Sequence, residues 1–324
     1  MMAFRSDGGM HSSSRGDAGR RGSLRLGMAV ESITDLSTLE GGVPYNECLA
    51  RLLIDDEVVL NGGYFIAQLE ADGGVGLLDT TMVSLVLDAL EQNPSLRLGC
   101  NISPFTLADQ SAWEGIVFQL GQRPSAAKRL TLEVTETAPL SQVAHAAHRL
   151  RLVQACGCRI ALDDFGSGFA VHRQVRGLDL DWDIVKIDRR FLSDLRKTPS
   201  GRDGLASMIV LARAIAPIVI VEGIETTAHL ERARDSGASF GQGWLFDASE
   251  PGHWRELPAL VSERFAHALR HQANPDPAIP AHSPFYTRVG STPSAPRSAK
   301  QTLWQRLRLL AALNRKPVNQ HEVT

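Results

Sequence analysis

Arg159-Ile-Ala-Leu-Asp-Asp-Phe-Gly-Ser-Gly168 runs from apolar residues into two adjacent carboxylates, Asp163 and Asp164, and then into a glycine-rich turn. An apolar run broken at Gly166 and Gly168 predicts a buried strand ending in a loop, where rigid scaffolds place their chemistry. Two like charges at the edge of a core repel and resist desolvation, so the pair requires solvent, cations or a metal. The same residues also suit an Asp-rich turn that caps the next helix or binds nearby backbone N–H groups.

Working outward, the same rhythm recurs. Leu96-Arg-Leu-Gly-Cys-Asn-Ile-Ser103, Leu130-Thr-Leu-Glu-Val-Thr-Glu136, Trp182-Asp-Ile-Val-Lys-Ile-Asp188 and Ile218-Val-Ile-Val-Glu-Gly-Ile-Glu225 read as strands carrying polar residues at or near their ends. Ser239-Phe-Gly-Gln-Gly-Trp-Leu-Phe246 reads as a last strand, with Gln242 inside it. Helices fall between them. Val143, Ala146, Ala147 and Leu150 precede a stop at Gly157, and Leu205, Met208, Ile209, Ala212 and Ile215 end before Pro217. Leu230 and Ala233 precede a stop at Gly237. Upstream, 26–36 suits a strand, 45–53 is apolar with Glu47 and Arg51 embedded, and Leu78, Met82, Leu85, Val86 and Ala89 form one face of a helix over 77–90. Strand–helix alternation predicts an α/β fold of parallel βα units. Closing the sheet into a TIM-like (β/α)8 barrel would collect the polar strand ends at one mouth, whereas an open doubly wound sheet would concentrate function at one switch point.

The bulk properties agree with such a barrel. The chain has 324 residues, 43% hydrophobic and 22% charged, and α/β barrels commonly reach about 250 residues as one domain. Residues 1–25 read as a disordered N-terminal tail, 26–271 as the barrel, and 272–300 as a Pro/Ala/Ser-rich linker. Residues 301–316 read as a basic amphipathic helix with Leu303, Trp304, Leu307, Leu310 and Ala311 on one stripe, and 317–324 as a C-terminal tail. That helix would suit a membrane surface or a protein partner. A net charge of −2 provides no field for nucleic acid, so neither DNA nor RNA is expected. Cys48, Cys100, Cys156 and Cys158 match no zinc or redox spacing and read as reduced thiols. Without a long apolar run or a signal-peptide core, the expected location is cytoplasmic, with peripheral membrane association through 301–316.

Collected in order, the polar groups embedded in these strands are Glu47, Asn101, Glu133, Asp163, Asp164, Lys186, Glu222 and Gln242. Carboxylate and amide oxygens without histidine or thiol suit Mg²⁺ or Mn²⁺ rather than zinc or copper. Five carboxylates at one barrel mouth require cationic compensation, which one or two such ions supply. A lysine among them would hold an anion, and the set suits phosphate-ester hydrolysis.

The order of these motifs resembles the EAL-domain cyclic di-GMP phosphodiesterases over about 26–251. The match rests on Glu47-Cys-Leu-Ala-Arg51, Asn101-Ile-Ser103, Glu133-Val-Thr-Glu136, Asp163-Asp-Phe-Gly-Ser-Gly168, Lys186-Ile-Asp188, Glu222-Gly-Ile-Glu225 and Gln242-Gly243. The resemblance implies an EAL-type barrel with one antiparallel strand, bacterial second-messenger signalling, and hydrolysis of cyclic di-GMP to linear pGpG with Mg²⁺ or Mn²⁺. It implies Glu47, Asn101, Glu133 and Asp163 as ligands of a first ion and Asp164 as a ligand of a second. Catalytic roles would fall to Glu47, to Lys186 at the attacking water or scissile phosphate, and to Glu222 in water activation. Arg51, Gln242 and Glu31 would contact the substrate, Glu136 and Glu225 would stabilise the loop after Asp164, and a homodimer is an assembly the resemblance allows.

Departures from the family pattern are equally specific. Cys48 stands for alanine, Leu52 for a common tryptophan, and Glu31 for a substrate-contacting glutamine. Phe169-Ala-Val-His172 replaces the usual aromatic-Ser-Ser-Leu. These changes keep open a catalytically weak or inactive domain that senses cyclic di-GMP or binds a protein. An unrelated metal-dependent barrel enzyme would explain the acids but not the motif order.

Overall fold

Parallel strands buried on both faces need nearly continuous Val, Ile and Leu, and Ile184–Ile187 and Ile218–Val221 have that composition. The computed structural model describes residues 23–39, 42–135, 138–166, 178–193, 204–246, 248–271 and 286–288. Its strands are β1 Leu24–Asp35, β2 Asn46–Ile54, β3 Val58–Asn61, β4 Leu98–Ile102, β5 Leu130–Val134 and β6 Arg159–Phe165. They continue with β7 Ile184–Ile187, β8 Ile218–Val221, β9 Phe240–Gln242, β10 Gly252–Glu256 and β11 Tyr286–Arg288.

Strands β2, β4, β5, β6, β7, β8 and β9 pair in parallel in that order. The reversed strand is β1, antiparallel to β2 on one side and β9 on the other. Those two pairings close an eight-stranded mixed barrel, as expected for the TIM-like class. Because β1 is twelve residues long, its second half closes the barrel while its first half continues beyond it, paired with β2 and β10. A hairpin joins β2 to β3, and β11 adds to β3.

Helices α1 Ile66–Ala71, α2 Val75–Gln92, α3 Pro104–Ala108, α4 Gln110–Gln122, α5 Pro124–Ala127 and α6 Ala146–Ala155 are followed by α7 Arg190–Ser193, α8 Gly204–Arg213, α9 Thr227–Asp235 and α10 Ala259–His271. The expected face of α2, from Leu78 to Ala89, is buried in the main core. Helix α6 begins later than its apolar spacing predicts. A 3-10 turn at Leu140–Gln142 and a left-handed His145, at φ 60°, exclude Val143 from the helix.

Two further boundaries shift. Strand β1 starts at Leu24, inside the expected tail, because Leu24 is buried and pairs with Ile54. Tyr286–Arg288, inside the expected linker, pairs with Val58–Leu60. The remainder of 272–300 and all of 301–324 lie outside the described residues. Cys48, Cys100 and Cys158 are buried and all four cysteines are free. Among the described residues, no helix is long and apolar enough to cross a membrane.

Candidate active site

Residues two apart on a strand share a face, so a barrel interior is filled in layers. Ile33, Tyr45, Ala161, Ile184 and Ile220 form an apolar layer inside the barrel. Two residues beyond Tyr45, Ala161, Ile184 and Ile220 come Glu47, Asp163, Lys186 and Glu222, which therefore form the next layer up. Strands β4 and β5 add the register partners Asn101 and Glu133, and β9 adds Gln242. Glu47, embedded in its segment as the sequence reads, lies near the start of its strand rather than the end. It is the second residue of β2, because β2 outruns the barrel and carries the hairpin beyond the mouth.

Lys186 lies at the centre of this layer and is 1% exposed. Its Nζ is 2.9 Å from Glu47 Oε2, 2.6 Å from Glu133 Oε2, 3.1 Å from Asp163 Oδ1 and 2.7 Å from Glu222 Oε1. Burial acts to lower its pKa, but Asp163, Glu133, Glu222 and Glu47 outweigh burial and hold the ammonium well above its usual range. Burial also acts on Glu47. There Lys186, with Gln242 Nε2 donating at 2.7 Å and Asn101 Nδ2 at 2.6 Å, overcomes it and keeps the carboxyl below its usual range. Glu133 goes the other way, raised by burial and by Glu47 and Asp163. Burial and neighbouring acids raise Glu222 to about 8 and Asp164 to about 7. For Asp164 those acids are Asp163 and Asp188.

A cavity of about 580 Å³ opens above the layer. Glu31, Arg51, Asp164, Glu225 and the exposed Trp244 all line it. Gln242 Nε2 also donates to Glu31 Oε2 at 3.2 Å, tying the rim to the floor. Asp164 adopts a left-handed φ of 52° and Gly166 follows at 94°, so the chain turns sharply after the acid pair. A Cβ at Gly166 would lie 2.5 Å from the Phe191 ring, which bars a larger residue there. Glu136 and the altered loop at 167–172 lie outside the described residues.

The structure adds residues that the motif reading passed over. Asp79, on α2, accepts from Ser103 N at 2.8 Å and from Thr106 Oγ1 at 2.6 Å. Ser103 Oγ donates to Glu70 Oε1 at 2.7 Å. This anchors the turn immediately after Asn101, and burial pushes Asp79 up to about 7. A lone acid on the apolar face of α2 was the available signal. Tyr45 was also missed, although it stands two residues before Glu47. Its ring is fully buried, and burial together with Glu133 holds its phenol well above the usual range.

The donor set fits a hard divalent cation. Asn101 Oδ1, Glu133 Oε1 and Gln242 Oε1 are buried oxygens without a hydrogen-bond partner among the described residues. Asp163, Asp164 and Glu222 present oxygens within 4.8 Å of one another, close enough to share an ion.

The sequence model of the EAL domain matches residues 25–251. The chain is similar to the cyclic di-GMP phosphodiesterase NbdA of Pseudomonas aeruginosa, 28% identical across 74% of this chain and 30% of that protein. It is also similar to the cyclic di-GMP phosphodiesterase RocR of the same organism, 28% identical across 65% of this chain and 54% of RocR. Cyclic di-GMP phosphodiesterase PdeF of Escherichia coli is 26% identical across 65% of this chain and 28% of its own length. The match therefore spans between about a quarter and a half of these curated relatives. An EAL domain protein from Listeria monocytogenes EGD-e superposes with a TM-score of 0.60 at 19% identity, covering 69% of this chain and 88% of that one. The PaMucR phosphodiesterase in complex with c-di-GMP superposes with a TM-score of 0.59 at 21% identity, covering 72% and 98%. With the reversed first strand, the acid layer around Lys186 and the matched span of 25–251 in agreement, the chain belongs to the EAL domain family.

Proposed function

We propose that the chain is a metal-dependent phosphodiesterase that opens cyclic di-GMP to linear pGpG. The observation that carries this is the layer of Glu47, Glu133, Asp163 and Glu222 around the buried Lys186, at the floor of a cavity with Arg51 on its wall. The family's curated relatives named above support the choice of substrate.

Glu47, Asn101, Glu133 and Asp163 would hold a first Mg²⁺ or Mn²⁺, and Asp164 with Asp163 and Glu222 a second. Such ions supply charge neutralisation at phosphoryl oxygens and lower the pKa of water. Glu222, whose Oε1 lies 2.7 Å from Lys186 Nζ, would accept the proton of an attacking water. Lys186 offers a fixed positive charge to the developing phosphorane oxygens. Arg51 would bind a non-bridging phosphate oxygen through its planar fork. Gln242, held by Glu47 and Glu31, would orient solvent or the substrate.

Purified protein with cyclic di-GMP and Mn²⁺ should release pGpG, and Glu47→Ala should reduce the rate at least about 100-fold. No product above that variant would overturn the hydrolytic reading.

A second reading, a cyclic di-GMP sensor without turnover, is favoured by Glu31, a carboxylate on the wall of a cavity meant for an anion. Binding by calorimetry without pGpG release would establish it. For 301–316 we propose docking on an anionic membrane surface. Full-length protein should then sediment with acidic vesicles, and a chain ending at residue 300 should not. A homodimer through the 167–172 loop region is the assembly the family suggests, checked by light scattering.

A further inference from the structure

Tyr45 takes no part in the chemistry above, yet its hydroxyl is a polar atom buried in the barrel without a hydrogen-bond partner among the described residues. The ring lies in the layer directly beneath the acids, with Ile33, Ala161, Ile184 and Ile220. Its neighbour on that level is Gly99, on β4. A Cβ added to Gly99 would fall 2.3 Å from Tyr45 Cε2 and 2.4 Å from Glu133 Oε1. The absent side chain of Gly99 is therefore what allows the tyrosine ring and the Glu133 carboxylate to approach one another. The phenol oxygen is two bonds beyond Cε2, and Glu133 Oε1 is itself a buried acceptor without a partner. A donor with one proton and an acceptor with a free lone pair thus flank the same glycine, both buried, where leaving them unpaired costs free energy.

We propose that Tyr45 is a positioning residue for Glu133, donating its hydroxyl proton to Oε1 when Glu133 turns to hold a cation through Oε2. This rests on the metal-dependent reading of the same layer. A carboxylate ligand fixed through its second oxygen has one orientation instead of several, which is how outer partners strengthen a metal site. A tyrosine does this without adding charge to a layer already rich in acids. Thr131 Oγ1, two residues before Glu133, is a second buried hydroxyl without a partner among the described residues and is the rival donor.

Titration calorimetry of Mn²⁺ into the full chain separates these cases. Tyr45→Phe keeps the ring and should bind Mn²⁺ about 10-fold more weakly, with its melting temperature in EDTA unchanged. Turnover of cyclic di-GMP at saturating Mn²⁺ should lose kcat with KM unaltered. Thr131→Val should bind Mn²⁺ as the parent does. Parent-like Mn²⁺ affinity in Tyr45→Phe, or a loss confined to Thr131→Val, would overturn the assignment while leaving the hydrolase intact. A parent protein that binds no Mn²⁺ would overturn the metal-dependent reading itself, and the assignment with it.

Discussion

Lys186, itself buried, holds four carboxylates at 2.6 to 3.1 Å at the floor of the cavity. Buried charges are stable only when paired, and removing one partner leaves the others uncompensated. Lys186→Met should therefore destabilise the metal-free protein by about 3–5 kcal/mol. Excess Mn²⁺ should recover much of that loss by supplying the missing positive charge. Thermal melts in EDTA and in Mn²⁺ measure both effects, and a parent-like melt in EDTA would show that the ammonium does not hold the layer together. The motif series identified every member of this layer, because each acid or amide interrupts an otherwise apolar strand. It did not identify Tyr45, whose aromatic ring looks like core on a strand, or Asp79, which lies on a helix, lines the cavity and holds Ser103 and Thr106.

At the scale of elements, the ends of β8 and β9 are locked together around Gly243. Ile224 N donates to Gln242 O at 3.0 Å and Leu245 N donates to Ile224 O at 2.9 Å. Gly243 has φ 150°, and a Cβ there would fall 2.4 Å from Ile224 N and 2.5 Å from Ile224 O. Because the obstruction is backbone, no side-chain rotation relieves it. Gly243→Ala should cost about 2–3 kcal/mol and displace Glu222 and Gln242 together. Denaturant melts alongside pGpG release check this, and a variant with parent-like stability and rate would refute it. The sequence marked Gly243 through its pairing with Gln242, but read the surrounding 239–246 as one strand. The ladder ends at Gln242 because Gly243 turns away to embrace Ile224.

For the whole molecule, the acid layer sets how stability depends on pH. Glu222 and Asp164 bind protons more tightly in the folded chain than in the unfolded one, at about 8 and about 7. Their contribution is complete below the ordinary carboxyl range and is lost as pH rises through 7 and 8. Glu47 has the opposite sign, but its window lies below its ordinary 4.5, and that of Lys186 lies above 10.5. The metal-free protein should therefore melt highest near pH 5 and progressively lower toward pH 8, whereas saturating Mn²⁺ should flatten the dependence. Calorimetric scans across that range test it, and a melting temperature that rises with pH in EDTA would contradict the arrangement.

The sequence by itself determined the alternation of strands and helices, the identity of the acid and amide groups, and the hard-cation chemistry they suit. These properties are local: hydrophobic period, glycine breaks and the type of side chain at each strand end. Only the tertiary structure decided that β1 is the reversed strand, that β2 runs on past Glu47 beyond the barrel mouth, and that one lysine lies among four acids. It alone placed Tyr45 against Gly99 beneath Glu133. Those facts depend on register and closure between strands whose residues, such as Glu31 and Gln242, lie 211 positions apart, and a hydrogen-bonded ladder sets them through contacts that no short stretch of chain encodes.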